Sequence, residues 1–176
     1  MKIVRSKRVI FALSACAAGL FFTRLPAARA DVTDADRDFV KQATEEVIGD
    51  AAINRVARDK AEHGEVRRYA ADKVHLDEKL EQELRDVADR HHIHVPGKDE
   101  LAADATDRLE RLRTSEHFDR EYLSGELRDS TEIHKLFTSA SKGDGDPELR
   151  AWFSDKLDTL RDSRDKVKTL DDQFDK

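Results

Sequence analysis

Charged and hydroxyl-bearing residues interrupt the apolar faces of three predicted helices. Each interruption lies near the middle of its helix, so the polar side chains could meet at one level of a bundle. An unpaired charge in an apolar core costs several kcal/mol, and buried charges therefore need partners. The pattern fits a polar pocket or former metal site, a core ion-pair network, or helices rotated so that these groups reach solvent. The interrupting residues are Lys73, Asp77, Glu126, Asp129, Ser130 and Ser163.

The same residues allow two kinds of buried chemistry. Lys73 and Asp77 are four residues apart and can pair within one helix. Carboxylates at Asp77, Glu126 and Asp129 could instead ligate iron, zinc or manganese inside the bundle. We expect no cofactor, and one of these three metals is the alternative. The residues expected to form a structural polar core are Lys73, Asp77, Ser130 and Ser163.

Three histidines lie together at the end of the second predicted helix. The segment reads His91-His92-Ile93-His94. A surface site for zinc, copper or nickel is one interpretation, because imidazole is a common ligand of these ions. A solvated helix end is the other, because cationic histidine suits the negative end of the helix dipole.

Motifs of known catalytic centres are missing from the sequence. A di-iron bundle needs Glu-x-x-His on two helices, and the nearest match is a single Asp72-Lys73-Val74-His75. Neither a Gly-x-Ser-x-Gly elbow nor a glycine-rich phosphate loop occurs. We therefore expect a protein that is not an enzyme.

The N-terminal residues have the pattern of a secretory signal. Residues 1–8 are basic, residues 9–22 are apolar apart from one serine, and residues 28–30 read Ala-Arg-Ala. Cleavage between Ala30 and Asp31 would leave a periplasmic or secreted protein.

Two alternatives to simple cleavage remain open. Residues 9–22 could be a retained anchor, although a membrane span needs about 20 apolar residues. The chain could also become a lipoprotein through Cys16, since residues 13–16 read Leu-Ser-Ala-Cys.

Acidic residues outnumber basic ones. The chain has 38 Asp and Glu against 32 Lys and Arg, a formal net charge of −6. Loss of residues 1–30 would remove six bases and no acid, and would change this charge to −12. Such a chain repels nucleic acid and anionic lipid headgroups. We expect a protein or small ligand of the cell envelope as partner, no nucleic acid, and no stable membrane insertion after cleavage.

Apolar residues recur with a helical period through the rest of the chain. No segment alternates with a period of two, so no strand is predicted. Thr33 or Asp34 should cap the first helix, Ser115 the third long one and Asp146 the last. These features predict one all-α domain over residues 31–176, a four-helix bundle with a short extra helix between the second and third long helices. The predicted helices cover 33–60, 65–92, 104–113, 116–141 and the segment from 147 onward.

Oligomeric state is left open by the sequence. Leu123 and Leu127 fall outside the apolar stripe that we assign to the third long helix. An exposed apolar strip of this kind could support a dimer, so we consider both a monomer and a dimer.

Short motifs in a fixed order give the chain a family resemblance. They are Asp36-Arg37-x-Phe39, Asn54-Arg55-x-Ala57, Val66-Arg67-x-Tyr69-Ala70, Phe118-Asp119-x-x-Tyr122 and Asp146-Pro147-x-Leu149. Over about residues 34–170 the chain resembles the bacterial exported family called domain of unknown function 4142. The resemblance implies a ferritin-like helical bundle, and the biochemical role of the family is not established.

The resemblance also implies a metal-ligand set that this chain lacks. The family places a glutamate in the first helix and a histidine in each of the other three long helices. The matching residues here are Ala52, Asp77, Ser130 and Ser163. A family methionine is replaced by Lys73, whose ammonium would stand where a cation could bind. The resemblance thus supports the fold and argues against inheritance of a metal function.

Two hypotheses of different class follow. The first is an exported, non-catalytic bundle that serves as a binding or interaction module of the cell envelope, with envelope stress as one setting. The alternative is a ferritin-like metal-binding or metal-dependent redox protein.

Overall fold

The computed structural model describes residues 31–98, 100 and 102–174, and within them it contains helices and no strand. The prediction of an all-α protein is confirmed. The predicted signal, its Ala-x-Ala site and Cys16 lie outside the described residues. Among those described, no helix combines the length and apolar character needed to cross a membrane. The helices are α1 (Asp34–Lys60), α2 (Gly64–Arg90), α3 (Ala103–Thr114), α4 (Phe118–Lys142) and α5 (Pro147–Phe174).

Side chains cap the first and last helices as expected. Thr33 Oγ1 accepts a hydrogen bond from the backbone N–H of Asp36, and the Asp36 carboxylate accepts one from the N–H of Thr33, which completes a capping box. Asp146 Oδ1 accepts hydrogen bonds from the N–H groups of Glu148 and Leu149 at 2.7 and 3.1 Å. Each cap satisfies N–H groups that have no partner inside the helix.

The third long helix begins later than predicted. Its cap position is His117, whose side chain makes no capping hydrogen bond. Ser115 Oγ accepts a hydrogen bond from the His117 N–H and so stabilises the preceding turn. The predicted cap at Ser115 is therefore wrong, because the turn between α3 and α4 takes up the residues that the pattern assigns to the first helical turn.

The long helices pack mainly as sequential pairs, α1 with α2 and α4 with α5. The first connection spans only residues 61–63 and the second only 143–146, so each pair runs antiparallel. Contacts of α1 with α4 join the two pairs, while α2 and α5 touch more lightly. The short α3 packs on α1 and α4.

Two apolar clusters fill the interior at different levels along the helices. The first includes Val47, Leu84, Phe137 and Phe153, and the second includes Ala57, Val66, Tyr122 and Val167. On every long helix, a stretch with buried polar residues separates the segments that contribute to the two clusters. This polar layer contains the candidate residues predicted from the sequence, which are Lys73, Asp77, Glu126, Asp129, Ser130 and Ser163.

The proposed exposed strip on α4 is wrong at Leu123. Its side chain is fully buried in the second apolar cluster, and Leu127 is half-buried against the same cluster. The buried face of α4 is wider than the stripe read from the sequence, because α3 covers a flank that a bare four-helix arrangement would leave open. These two leucines therefore give no support to a dimer.

Candidate functional site

The centre of the polar layer is a buried ion cluster formed by Asp50, Lys73, Asp77 and Glu126. Lys73 Nζ lies 2.7 Å from Asp50 Oδ2, 2.8 Å from Asp77 Oδ1 and 3.6 Å from Glu126 Oε1. All four side chains are at least nine-tenths buried. One ammonium thus joins carboxylates from α1, α2 and α4.

Amide and phenol groups extend the ion cluster on one side. Asn54 Nδ2 donates a hydrogen bond of 2.9 Å to Asp77 Oδ2. The Tyr122 hydroxyl donates one of 2.6 Å to Asn54 Oδ1. This chain runs from α4 through α1 to α2, so it orients the Asp77 carboxylate towards Lys73.

Hydroxyl groups surround Glu126 on the other side. Its Oε1 accepts hydrogen bonds from the Tyr69 hydroxyl at 3.0 Å and from Ser130 Oγ at 3.2 Å. Ser163 of α5 lies beside Tyr69 and interacts with its phenol oxygen. Glu126 also shares a side-chain hydrogen bond with Asp50, which requires a proton on one of the two carboxyl groups.

The position of each group follows from helical spacing. On α1 the buried residues 40, 43, 47, 50, 54 and 57 alternate by three and four, which places Asp50 and Asn54 on the core face. On α2, Lys73 and Asp77 continue the face of Tyr69 and Ala70. The polar groups are therefore held by rigid helices rather than by loops.

Charge in the ion cluster is unbalanced when all groups are ionised, with three carboxylates around one ammonium. Burial, more than the repulsion from Asp50, raises the pKa of Glu126 well above its usual range. Burial also raises the pKa of Asp77 to about 7, although Lys73 opposes the shift. For Lys73, burial opposes the charge but the three carboxylates outweigh it and raise its pKa. We conclude that the cluster holds a charged Lys73 and a proton on its carboxyl groups.

The family comparison agrees with the resemblance seen in the motifs. Residues 23–170 match the family model described as Domain of unknown function (DUF4142). The chain belongs to the DUF4142 family. No curated protein and no solved structure matches it.

The metal set implied for the DUF4142 family does not fit this member. Ala52 is half-buried and has no ligating atom, and Ser130 already donates to Glu126. Asp77 is engaged by Lys73 and Asn54. Among the described residues, no three His, Cys, Asp or Glu side chains are arranged to hold a metal ion. The carboxylates that do converge surround the Lys73 ammonium, so they form an ion cluster rather than a set of metal ligands.

Asp129 does not join the ion cluster. It faces Arg108 of α3 and also Arg128, whose Nε lies 3.4 Å from its Oδ1. Of the candidate residues, the structure brings together Lys73, Asp77, Glu126 and Ser130, with Ser163 next to Tyr69 at the edge. Asp129 instead anchors α3 to α4.

The three histidines at the end of α2 differ in their exposure to solvent. His91 is buried, with Nε2 3.8 Å from Glu148, which corrects the prediction that all three are exposed. His92 and His94 are exposed, and the three rings are not grouped as metal ligands. His92 has a φ of 54°, and the Ile93 N–H donates to the carbonyl of Ala88 at 2.8 Å. This is a Schellman-type helix stop, with Ile93 buried beyond it.

Sequence reasoning missed four members of the polar layer, and each left some signal. Asp50 and Asn54 fall on the three-and-four spacing of α1, but a polar residue at such a position does not by itself indicate burial. Tyr69 and Tyr122 lie on the buried faces of α2 and α4, where a phenol usually finds a hydrogen-bond partner. The signal common to these four residues is that Lys73 and Glu126, once buried, require polar partners on the facing helices.

Proposed function

We propose that this protein is an exported, non-catalytic member of the DUF4142 family that acts as a binding or interaction module of the cell envelope. Its four long helices form a ferritin-like bundle, with α3 as the extra helix. Envelope stress is one setting for such a module. The protein takes a small ligand or another protein as partner, and works as a monomer or a dimer.

One observation carries the non-catalytic, metal-free part of this proposal. Lys73 Nζ contacts Asp50, Asp77 and Glu126, one carboxylate from each of three helices. A protein-borne cation at this point occupies the place among the carboxylates that a metal ion would need. The ion cluster then stabilises the fold, and the surface of the protein binds the partner.

Export rests on the sequence. A basic start, an apolar stretch and an Ala-x-Ala end at Ala30 support cleavage before Asp31 and release to the periplasm or outside the cell. Attachment as a lipoprotein through Cys16 is the alternative. Mass spectrometry of the protein recovered from envelope fractions tests this step, because a first residue at Asp31 and a lipidated Cys16 give different masses.

A ferritin-like metal function is the second candidate, and the convergence of three carboxylates favours it. Native expression in the envelope without a His tag, followed by elemental analysis, distinguishes the two candidates. The binding-module proposal predicts less than about 0.1 mol of iron, zinc or manganese per chain after dialysis, since the described residues offer no vacant set of metal ligands. About one mole per chain that disappears in an Asp77→Asn, Glu126→Gln double variant would establish the alternative.

A further inference from the structure

A cleft with a cavity volume of about 260 Å³ lies between α3 and α4. Its lining includes Ile53 of α1 together with Tyr122 and Gly125 of α4. Pockets for small molecules generally exceed about 300 Å³, so this cleft suits a small ligand rather than a cofactor. The cleft lies beside the ion cluster, because Glu126 belongs to its lining.

Three arginines converge on the cleft from two helices. Arg108 and Arg111 are one turn apart on α3, and Arg128 extends from α4. Asp129 is the acidic partner of both Arg108 and Arg128. Arg111 is exposed and makes no ion pair among the described residues. Glu121 is the one exposed acidic residue in the lining, so guanidinium groups outnumber accessible carboxylates in a chain that is acidic overall.

The buried lining adds a carboxyl group. Glu126 is 1% exposed, and its carboxyl group shares a side-chain hydrogen bond with Asp50. Burial raises the pKa of Glu126, and a proton shared with Asp50 reduces the negative charge at the inner end of the cleft. Guanidinium groups bind carboxylate and phosphate oxygens through paired hydrogen bonds, so both features select a ligand rich in oxygen acceptors.

We propose that this cleft binds a small organic anion, whose carboxylate or phosphate group contacts Arg111 and Arg128 and whose inner end approaches Glu126. This assignment rests on the proposed role as a binding module and names the class of its small ligand. Arg108, held by Asp129, closes one side of the site.

Isothermal titration of the purified protein tests the proposal at constant ionic strength. The probes are citrate, glycerol 3-phosphate and inorganic phosphate, so that carboxylate and phosphate ligands are distinguished. Arg111→Gln removes the unpaired guanidinium, and Arg113→Gln is the matched control on the same helix, outside the cleft lining. Gly125→Leu occludes the cleft, because a Cβ at this helical position would meet only Arg128, at 4.0 Å.

We expect at least one probe to bind the wild type and the Arg113→Gln variant with equal affinity. Binding should weaken about tenfold or more in Arg111→Gln and in Gly125→Leu, since a charge-assisted hydrogen bond or the ligand volume is lost. No binding of any probe at about 10 mM, or unchanged affinity in either variant, would overturn the assignment. Neither result depends on the metal content that tests the proposed function, so the two can fail separately.

Discussion

Lys73 is the residue on which the interior of this protein depends. Its ammonium is 4% exposed and is the only cationic group within ion-pair distance of Asp50 and Asp77 among the described residues. Removing one partner of a buried ion pair is far more costly than the net value of the pair, because the remaining charges stay buried and uncompensated. The stability of the helices around it is therefore coupled to one side chain.

Replacing Lys73 by methionine tests this coupling. The variant should lose about 3–5 kcal/mol of unfolding free energy at neutral pH, because Asp50, Asp77 and Glu126 lose their counter-ion. Urea denaturation followed by circular dichroism measures the loss. Lys79→Met is the matched control on α2, since the Lys79 side chain is 76% exposed, and should change stability by less than about 0.5 kcal/mol. A similar small effect for both variants would contradict a charge-paired Lys73.

Proton binding to the ion cluster makes stability depend on pH. Asp77 has a raised pKa of about 7 against an ordinary value of 3.8, and the pKa of Glu126 is also raised. At pH values between 3.8 and about 7, the folded chain keeps a proton on Asp77 that the unfolded chain releases. Unfolding free energy should therefore fall as the pH rises from about 4 towards 7.

Glu126→Gln should flatten this pH profile. The amide is neutral at every pH and keeps an oxygen that can accept from Tyr69 and Ser130, so stability at pH 5 should change little. At pH 8 the variant should have a higher unfolding free energy, relative to the wild type, than it has at pH 5. Glu132→Gln, an exposed position on the same helix, is the control and should leave the profile parallel to that of the wild type. If the pH profiles of both variants are parallel to that of the wild type, the pKa of Glu126 is not raised in the folded protein.

At the scale of elements, buried aspartates hold the helix ends together. The Asp36 carboxylate of α1 accepts a hydrogen bond from the Asp146 N–H at 3.0 Å, and so joins the start of α1 to the start of α5. Gly145 lies against the same carboxylate, where a Cβ would not fit. At the opposite end, Asp119 accepts from the N–H groups of Glu62 and His63. These contacts fix how the two helix pairs meet.

Asp146→Ala should weaken the start of α5. Loss of an aspartate cap costs about 1–2 kcal/mol, because the N–H groups of Glu148 and Leu149 lose their acceptor. Thermal denaturation at a fixed pH measures the effect. Asp144→Ala, exposed in the same loop, is expected to stay within about 0.5 kcal/mol of the wild type. An equal effect of the two substitutions would argue against the cap.

His92→Gly should stabilise the end of α2. A non-glycine residue at a φ of 54° is strained, and glycine removes that strain at some cost in chain entropy. The net gain should be about 0.5–1 kcal/mol in chemical denaturation, whereas His94→Gly should bring no gain. A loss of stability in His92→Gly would mean that its ring, rather than the backbone conformation, stabilises this end.

Element type was predictable because it depends on local periodicity and caps. All five helices could be placed to within a few residues from apolar spacing, and Thr33 and Asp146 were recognisable as caps. The exact rotation of each helix was not predictable, since it depends on neighbours that the sequence does not specify. Leu123 is the example: α3 and α4 together bury a face that the stripe of α4 alone would leave exposed.

At the scale of the whole molecule, the polar layer divides two apolar clusters. The sequence marked this layer through Lys73, Asp77, Glu126 and Ser130, but it could not show which partners meet there. Asp50 and Asn54 come from more than twenty residues earlier in the chain, and only the packing of α1 on α2 brings them to Lys73 and Asp77. The type of site, an ion pair or a metal, depends on those partners.

The charge distribution of the whole chain is consistent with a structural role for the buried ion cluster and a binding role for the cleft. The interior compensates its carboxylates with Lys73 and bound protons, while the arginine-lined cleft between α3 and α4 offers a cationic patch in a chain that is acidic overall. Ligand binding would then raise stability without any change in the buried layer, because only the native state forms the cleft.

The metal content of the protein tests the central claim most directly. Protein expressed from the full sequence and purified without a metal-binding tag should contain less than about 0.1 mol of iron, zinc or manganese per chain after dialysis, because the Lys73 ammonium stands among the converging carboxylates. About one mole of any of these metals per chain, lost when Asp77 and Glu126 are replaced by their amides, would contradict it. That result would make the polar layer a metal centre rebuilt from carboxylates.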